Sequence, residues 1–234
     1  MNDPNSESQV PTVIAALRRF NRPRPAEQCD LCSLGLVAEH QHLFEPKSRQ
    51  LLCVCDSCAI LFSPQADMKY KRVPRRSRFL ADFQLTDIQW DNLLIPIGMA
   101  FFFYSTPAEK TIALYPSPAG SVESLLELET WQELEESNLV LRTMEADVEA
   151  LLVNRIGTEQ QYYVAPIDEC FKLVGLIRAK WQGLSGGTEV WQEITEFFTG
   201  LKKRSTIIGE SSVKANVENY GEAENISFQP QTEI

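Results

Sequence analysis

The chain is 234 residues long, 44% hydrophobic and carries a formal net charge of -10, which gives it enough apolar material for a sizeable core and argues against a disordered adaptor. The charge is uneven, because residues 1–78 hold 12 Lys/Arg against 8 Asp/Glu and residues 79–234 hold 10 against 24. An acidic body repels nucleic acid and anionic membrane at long range, so any phosphate contact would fall to the N-terminal third.

Met1 to Pro11 is polar and acidic, without the basic and apolar regions of a secretory signal. The longest apolar run, Leu93 to Tyr104, is far shorter than the ~20 residues of a spanning helix. A cytoplasmic, reducing setting follows as the expectation, and there six cysteines read as ligands or thiols rather than disulfides. Apolar residues at helical spacing from Val13 to Phe20 predict a short amphipathic helix, ended by Arg22-Pro23-Arg24-Pro25. Residues 1–25 are therefore read as a tail with a short helix.

Residues 26–66 read as a zinc-ribbon-like module. Cys29-Asp30-Leu31-Cys32 and Cys55-Asp56-Ser57-Cys58 are two Cys-x-x-Cys knuckles. Each short turn aims two thiolates at one point, so Cys29, Cys32, Cys55 and Cys58 together predict one tetrahedral metal site. Zinc is the expected occupant, with iron in a rubredoxin-like centre as the alternative, since both accept four thiolates. Between the knuckles, Leu36 to Glu45 and Gln50 to Cys55 read as a hairpin. A turn centred between Lys47 and Ser48 puts His42 across from Cys53 and His40 across from Cys55. Because strand side chains alternate, all four then share one face. His40, His42 and Cys53 exceed the needs of a closed four-thiol site. They read either as solvent-facing hairpin residues or as a second metal or redox cluster.

Residues 67–80 read as a basic linker, in which Lys69, Lys71, Arg72, Arg75, Arg76 and Arg78 form a candidate strip for anions or a partner. Its plainer reading is a solvated linker, or a strip docked on an acidic protein face such as this chain's own body.

Residues 81–204 read as an α+β domain with a short antiparallel sheet and several helices. Thr86 with Gln89 predicts a capping box opening a helix to Leu94. Ile97 to Tyr104 and Thr111 to Tyr115 predict a buried hairpin, and Tyr115-Pro116-Ser117-Pro118-Ala119-Gly120 a rigid corner. Helices are expected over Ser121 to Glu136 and Leu141 to Val153, a strand over Gln161 to Val164, and two further helices over Ile167 to Trp181 and Thr188 to Leu201. On the helix expected over Leu141 to Val153, Glu145 and Glu149 would stand one turn apart. Cys170 reads as a core residue, and Gly183 with Gly186-Gly187 as a turn between helices. Residues 205–234, polar and without periodicity, read as a disordered acidic tail.

Two resemblances follow. Glu39-His40 between two knuckles resembles the HNH endonucleases, but no His follows Cys58 to complete their catalytic metal site. The two knuckles with His40-Gln41-His42, the Tyr115 to Gly120 corner, Asp147-Val148-Glu149-Ala150-Leu151-Leu152 and Trp181-Gln182-Gly183 together resemble an uncharacterised bacterial family with an N-terminal Cys-rich ribbon, over residues 13–204. Its members are often encoded near nickel-iron hydrogenases. The resemblance implies a metal-binding accessory or assembly protein, with a hydrogenase or its maturation machinery as partner, and supplies no catalytic residues. A zinc-ribbon nucleic-acid-binding protein is a further alternative.

Overall fold

A tight turn over residues 46–49 folds β1 (Gln41–Glu45) back onto β2 (Gln50–Val54). The computed structural model describes residues 27–63, 69–124, 128–157, 159–183 and 186–209. The helix expected at Val13 to Phe20 lies outside them. The hairpin register pairs His42 with Cys53, Leu43 with Leu52 and Phe44 with Leu51, as the turn position predicts. The strand begins at Gln41, so His40 lies just before it. After β2 the chain enters the short helix α1 (Asp56–Leu61).

The basic run is more structured than a linker. Its first half forms β3 (Lys71–Arg72), antiparallel to the free edge of β1. Its last residue opens β4 (Arg78–Leu80), which belongs to the larger sheet.

The elements of the body follow. Helix α2 (Asp87–Asn92) carries the expected capping box on Thr86. Then come β5 (Met99–Ser105), β6 (Lys110–Ser117), β7 (Gly120–Ser124), α3 (Leu128–Ser137), a 3-10 turn over Leu139–Thr143, β8 (Glu149–Asn154) and β9 (Gln161–Pro166). The last elements are α4 (Ile167–Lys180), α5 (Gly187–Arg204) and β10 (Thr206–Ile208). The sheet order is β10-β4-β9-β8-β5-β6-β7. Its pairs are antiparallel except β10 with β4, which run parallel.

Alternation along the central strands divides the core in two. Phe101, Phe103, Leu152 and Tyr163 pack with α4 and α5 through Leu173, Ile177, Ile194 and Phe198. Their neighbours Ala100, Phe102, Leu151 and Val153 pack on the other face with Trp90 of α2 and with Trp131 and Leu134 of α3. The body is thus a sheet covered by helices on both faces.

Four expectations are corrected. The body's sheet is a seven-stranded mixed sheet rather than a short antiparallel one. The helix expected from Ser121 begins instead as β7, because the corner is a hairpin turn pairing Ser117 with Gly120, whose φ of 124° a glycine adopts without strain. The chain then has to return along β6. The helix expected over Leu141 to Val153 is a 3-10 turn followed by β8. Asp147, at φ 71°, interrupts any helix there, and burial of β8 on both faces removes the alternation that marks a strand. Finally, the stretch expected to be a tail from residue 205 contains β10, and residues 210–234 lie outside the described ones.

Glu149 stands on β8 rather than one helical turn from Glu145. It is fully buried and accepts hydrogen bonds from Arg78 Nη2 at 3.0 Å and from the Glu145 N–H at 2.9 Å. Arg78→Ala leaves this carboxylate without its principal partner, so it should destabilise the protein by about 3–5 kcal/mol in chemical denaturation. A loss below about 1 kcal/mol would show that the pair does not hold the linker to the sheet.

Candidate metal centre

Two local turns and one strand bring the head's thiols together. In the first knuckle, Cys29 N–H donates to Leu34 O and Ser33 N–H to Cys29 O, both at 2.8 Å. Ser33 completes this turn in the left-handed region, at φ 60°. In the second, Cys55 is the N-cap residue of α1 and Cys58 lies in that helix, with Ala59 N–H donating to Cys55 O at 2.9 Å. Asp30 latches the first knuckle to the hairpin: its N–H donates to Cys53 O at 2.9 Å, and its carboxylate accepts from Cys53 N–H at 2.6 Å.

As a result the Sγ atoms of Cys29, Cys32, Cys55 and Cys58 lie within 4.8 Å of one another, with Cys32 and Cys55 at 3.7 Å. None of them forms a disulfide. Four thiolates bound tetrahedrally at ~2.3 Å sit about 3.8 Å apart, so the group fits one metal ion after small adjustments. The four thiols do not ionise alike. Burial disfavours ionisation of Cys29, but backbone N–H groups of Cys55, Leu31 and Cys32 outweigh it and bring that thiol down to about 6. Burial, followed by the crowding of the other three sulfurs, pushes Cys58 up to about 12. One thiolate therefore suppresses ionisation of its neighbours unless a metal neutralises the group. The apolar support is thin: Cys29, Leu43, Val54, Cys58 and Ala59 are the buried members of the head's own cluster.

The other face of the hairpin looks toward the body. Phe44 enters the core beside Phe171, at 6.3 Å between rings. On the same face, His42 and Cys53 are opposite one another, and His40 joins them from the segment before β1. The donor atoms of these three residues also lie within 4.8 Å of one another. The imidazole rings meet edge to face, 4.8 Å between centroids. His42 Nδ1 is 2.8 Å from Asp168 Oδ2, and His40 Nδ1 is 3.0 Å from Val37 O. His40 Nε2 is buried with no hydrogen-bond partner among the described residues, an arrangement that costs about 1–3 kcal/mol when nothing compensates it. Burial pushes the Cys53 thiol up, and the charges of Asp30 and Glu27 add to that. Cys55 leaves this face where β2 passes into α1, so Cys53 and Cys55 serve different groups.

Asp168 was not identifiable from the sequence. It lies 126 residues from His42, and its own signal, an acidic residue in the first turn of a helix, is a common stabilising feature.

Five of the six basic residues meet acceptors on the protein itself. Lys69 pairs with Glu45 at 3.4 Å, Lys71 with the buried Asp147 at 2.7 Å, and Arg72 with Gln41 at 3.0 Å. Arg76 and Arg78 approach Glu149 at 3.4 and 3.0 Å. Arg75 lines a cleft of about 640 Å3 between the head and α4, which His40, His42 and Asp168 also line. Cys170 is buried in the core, and Gly183, Gly186 and Gly187 lie between or at the ends of α4 and α5.

A Cys29→Ser/Cys32→Ser change should remove one equivalent of bound metal and abolish hydrogen-exchange protection in β1 and β2, while β5, β8 and β9 keep theirs. Equal loss of protection in the body would show that head and body unfold as one unit.

No curated protein and no solved structure matches the chain. A family model matches residues 28–205, from the first knuckle to the end of α5, and on that match the chain belongs to DUF5947, a family of unknown function.

Proposed function

We propose that the chain is a metal-binding accessory protein in which Cys29, Cys32, Cys55 and Cys58 hold one zinc ion, and that it acts through contacts with a protein partner. The observation that carries this reading is the mutual approach of four unlinked thiols within 4.8 Å. Zinc suits a closed four-thiolate site that supports a small, weakly apolar head. Bound there, it supplies the positive charge that lets all four thiols ionise. Iron uses the same ligands, and a visible absorption band would reveal it.

Exposed apolar side chains on the head support a role in protein contacts. Leu34 and Val37 follow the first knuckle, Ile60 and Leu61 lie on α1, and all four are 59–71% exposed. Two such pairs on one small module suit a partner surface, and on the body Ile88, Leu94 and Ile207 are exposed to a similar degree. Nickel-iron hydrogenase maturation is the process implied by the sequence resemblance, with a hydrogenase or its maturation machinery as partner. Engagement of the basic run by Asp147, Glu149 and Glu45 speaks against nucleic acid as the partner. No described helix is long and apolar enough to cross a membrane, and a cytoplasmic setting would keep these thiols reduced.

Anaerobically purified full-length protein should be colourless and contain zinc; an iron-thiolate spectrum would overturn the metal assignment. A pull-down should recover a hydrogenase component, and Ile60→Asp/Leu61→Asp should cut that recovery by ~10-fold or more. Recovery that is insensitive to these changes would contradict docking through the head. Recovery of unrelated proteins alone would contradict the hydrogenase assignment.

A further inference from the structure

The four-thiol group uses four of the five cysteines in the head and none of the chain's two histidines. We propose that His40, His42 and Cys53 form a second, separate metal site, which takes a late first-row divalent cation of the zinc type and keeps a coordination position open to the cleft beside α4. This inference goes beyond the accessory reading, since it requires no partner and does not depend on which metal the four thiols hold.

The donor set is two imidazoles and one thiol, a combination that favours zinc and its neighbours over magnesium or calcium. The donor atoms already lie within 4.8 Å of one another. A tetrahedral ion would draw them to about 3.3–3.6 Å, a shift of little more than an ångström at most.

The imidazoles are held as metal ligands are held. His42 Nδ1 donates to the Asp168 carboxylate at 2.8 Å, and His40 Nδ1 donates to the Val37 carbonyl at 3.0 Å. Both contacts place the ring proton on Nδ1 and leave the lone pair on Nε2. A carboxylate or carbonyl behind the ring nitrogen is the usual outer support of a metal-bound histidine. Asp168 is itself fixed, accepting from the Glu169 N–H at 2.8 Å in the first turn of α4, where a negative charge is favoured.

The second observation is independent of this spacing. The His40 side chain is only 8% exposed, and its Nε2 is buried without a hydrogen-bond partner among the described residues. A histidine pair retained for packing alone would have no reason to keep that nitrogen unsatisfied, whereas a metal ion satisfies it directly.

Three protein ligands leave a tetrahedral site incomplete, and a site of that kind retains a place for an exchangeable ligand. The open side is the cleft of about 640 Å3 that His40 and His42 line, whose wall also carries Arg75 and Lys172. The wall also carries Glu39 and Glu169, so water is the ligand that fits there. The two groups remain mechanically linked, because Asp30 of the first knuckle holds both the N–H and the carbonyl of Cys53.

The test is titration of reduced, metal-free full-length protein with Co2+ as spectroscopic probe, followed by competition with Zn2+. Wild type should bind two equivalents per chain. His40→Ala/His42→Ala should bind one, with the four-thiolate cobalt spectrum intact. Asp168→Asn should weaken one equivalent by about 10–100-fold and leave the other unchanged, a selective effect that a merely structural aspartate would not have. If the double histidine variant loses both equivalents through misfolding, Cys53→Ser decides: it should weaken the same equivalent as Asp168→Asn. A wild-type stoichiometry and affinity that the His40, His42, Cys53 and Asp168 changes all leave unaltered overturns the proposal. Failure of the four-thiol reading is distinguishable, because Cys29→Ser/Cys32→Ser would then leave the stoichiometry unaltered.

Discussion

The period of two in the β1–β2 hairpin is the constraint on which the rest of the head depends. It sends Leu43 and Val54 to the face that packs on Cys29, Cys58 and Ala59, and it sends His42, Phe44 and Cys53 to the face that meets the body. One strand pair therefore serves two chemically different environments. A slip of one residue would place Phe44 among the knuckle residues and carry His42 away from Asp168. Phe44 is what makes such a slip expensive, since it is fully buried against Phe171 in the body's core.

The second structural device is the basic run between head and body. Lys71 reaches the buried Asp147, which also accepts from the Thr106 N–H and hydroxyl at 2.8 and 2.7 Å. Arg78 reaches the buried Glu149 in the same region of the chain. Buried carboxylates are tolerated only when paired and hydrogen-bonded, so these contacts fix the path of the chain from β3 into β4. What composition marks as a basic strip thus becomes the seam between the two sheets, and the cleft with its histidines opens beside that seam.

Much of the candidate site was legible in the sequence because its signals are local. Cys-x-x-Cys spacing identifies the knuckles without knowledge of the fold, and a turn placed at Lys47-Ser48 is enough to set His42 against Cys53. The capping box at Thr86 and the long amphipathic helices were readable for the same reason. The errors came where local pattern and tertiary context disagree. The Glu149–Asn154 strand is buried on both faces and shows no alternation, so spacing suggested a helix. Residues 120–124 join the sheet because a tight hairpin returns them along β6. Asp168 and the carboxylates that hold Lys71 and Arg78 act across 70 or more residues of chain, a distance at which a single sequence carries no signal.

The head stands or falls on whether the knuckles form a thiolate-bound metal site in the protein as it occurs in solution. X-ray absorption at the zinc edge of the full-length chain, purified without added metal, tests this most directly. The expected spectrum is dominated by sulfur scatterers at about 2.3 Å, with a nitrogen contribution near 2.0 Å where the histidine group is also loaded. A shell of oxygen and nitrogen alone, or protein that carries no zinc and stays folded in β1 and β2, would contradict it.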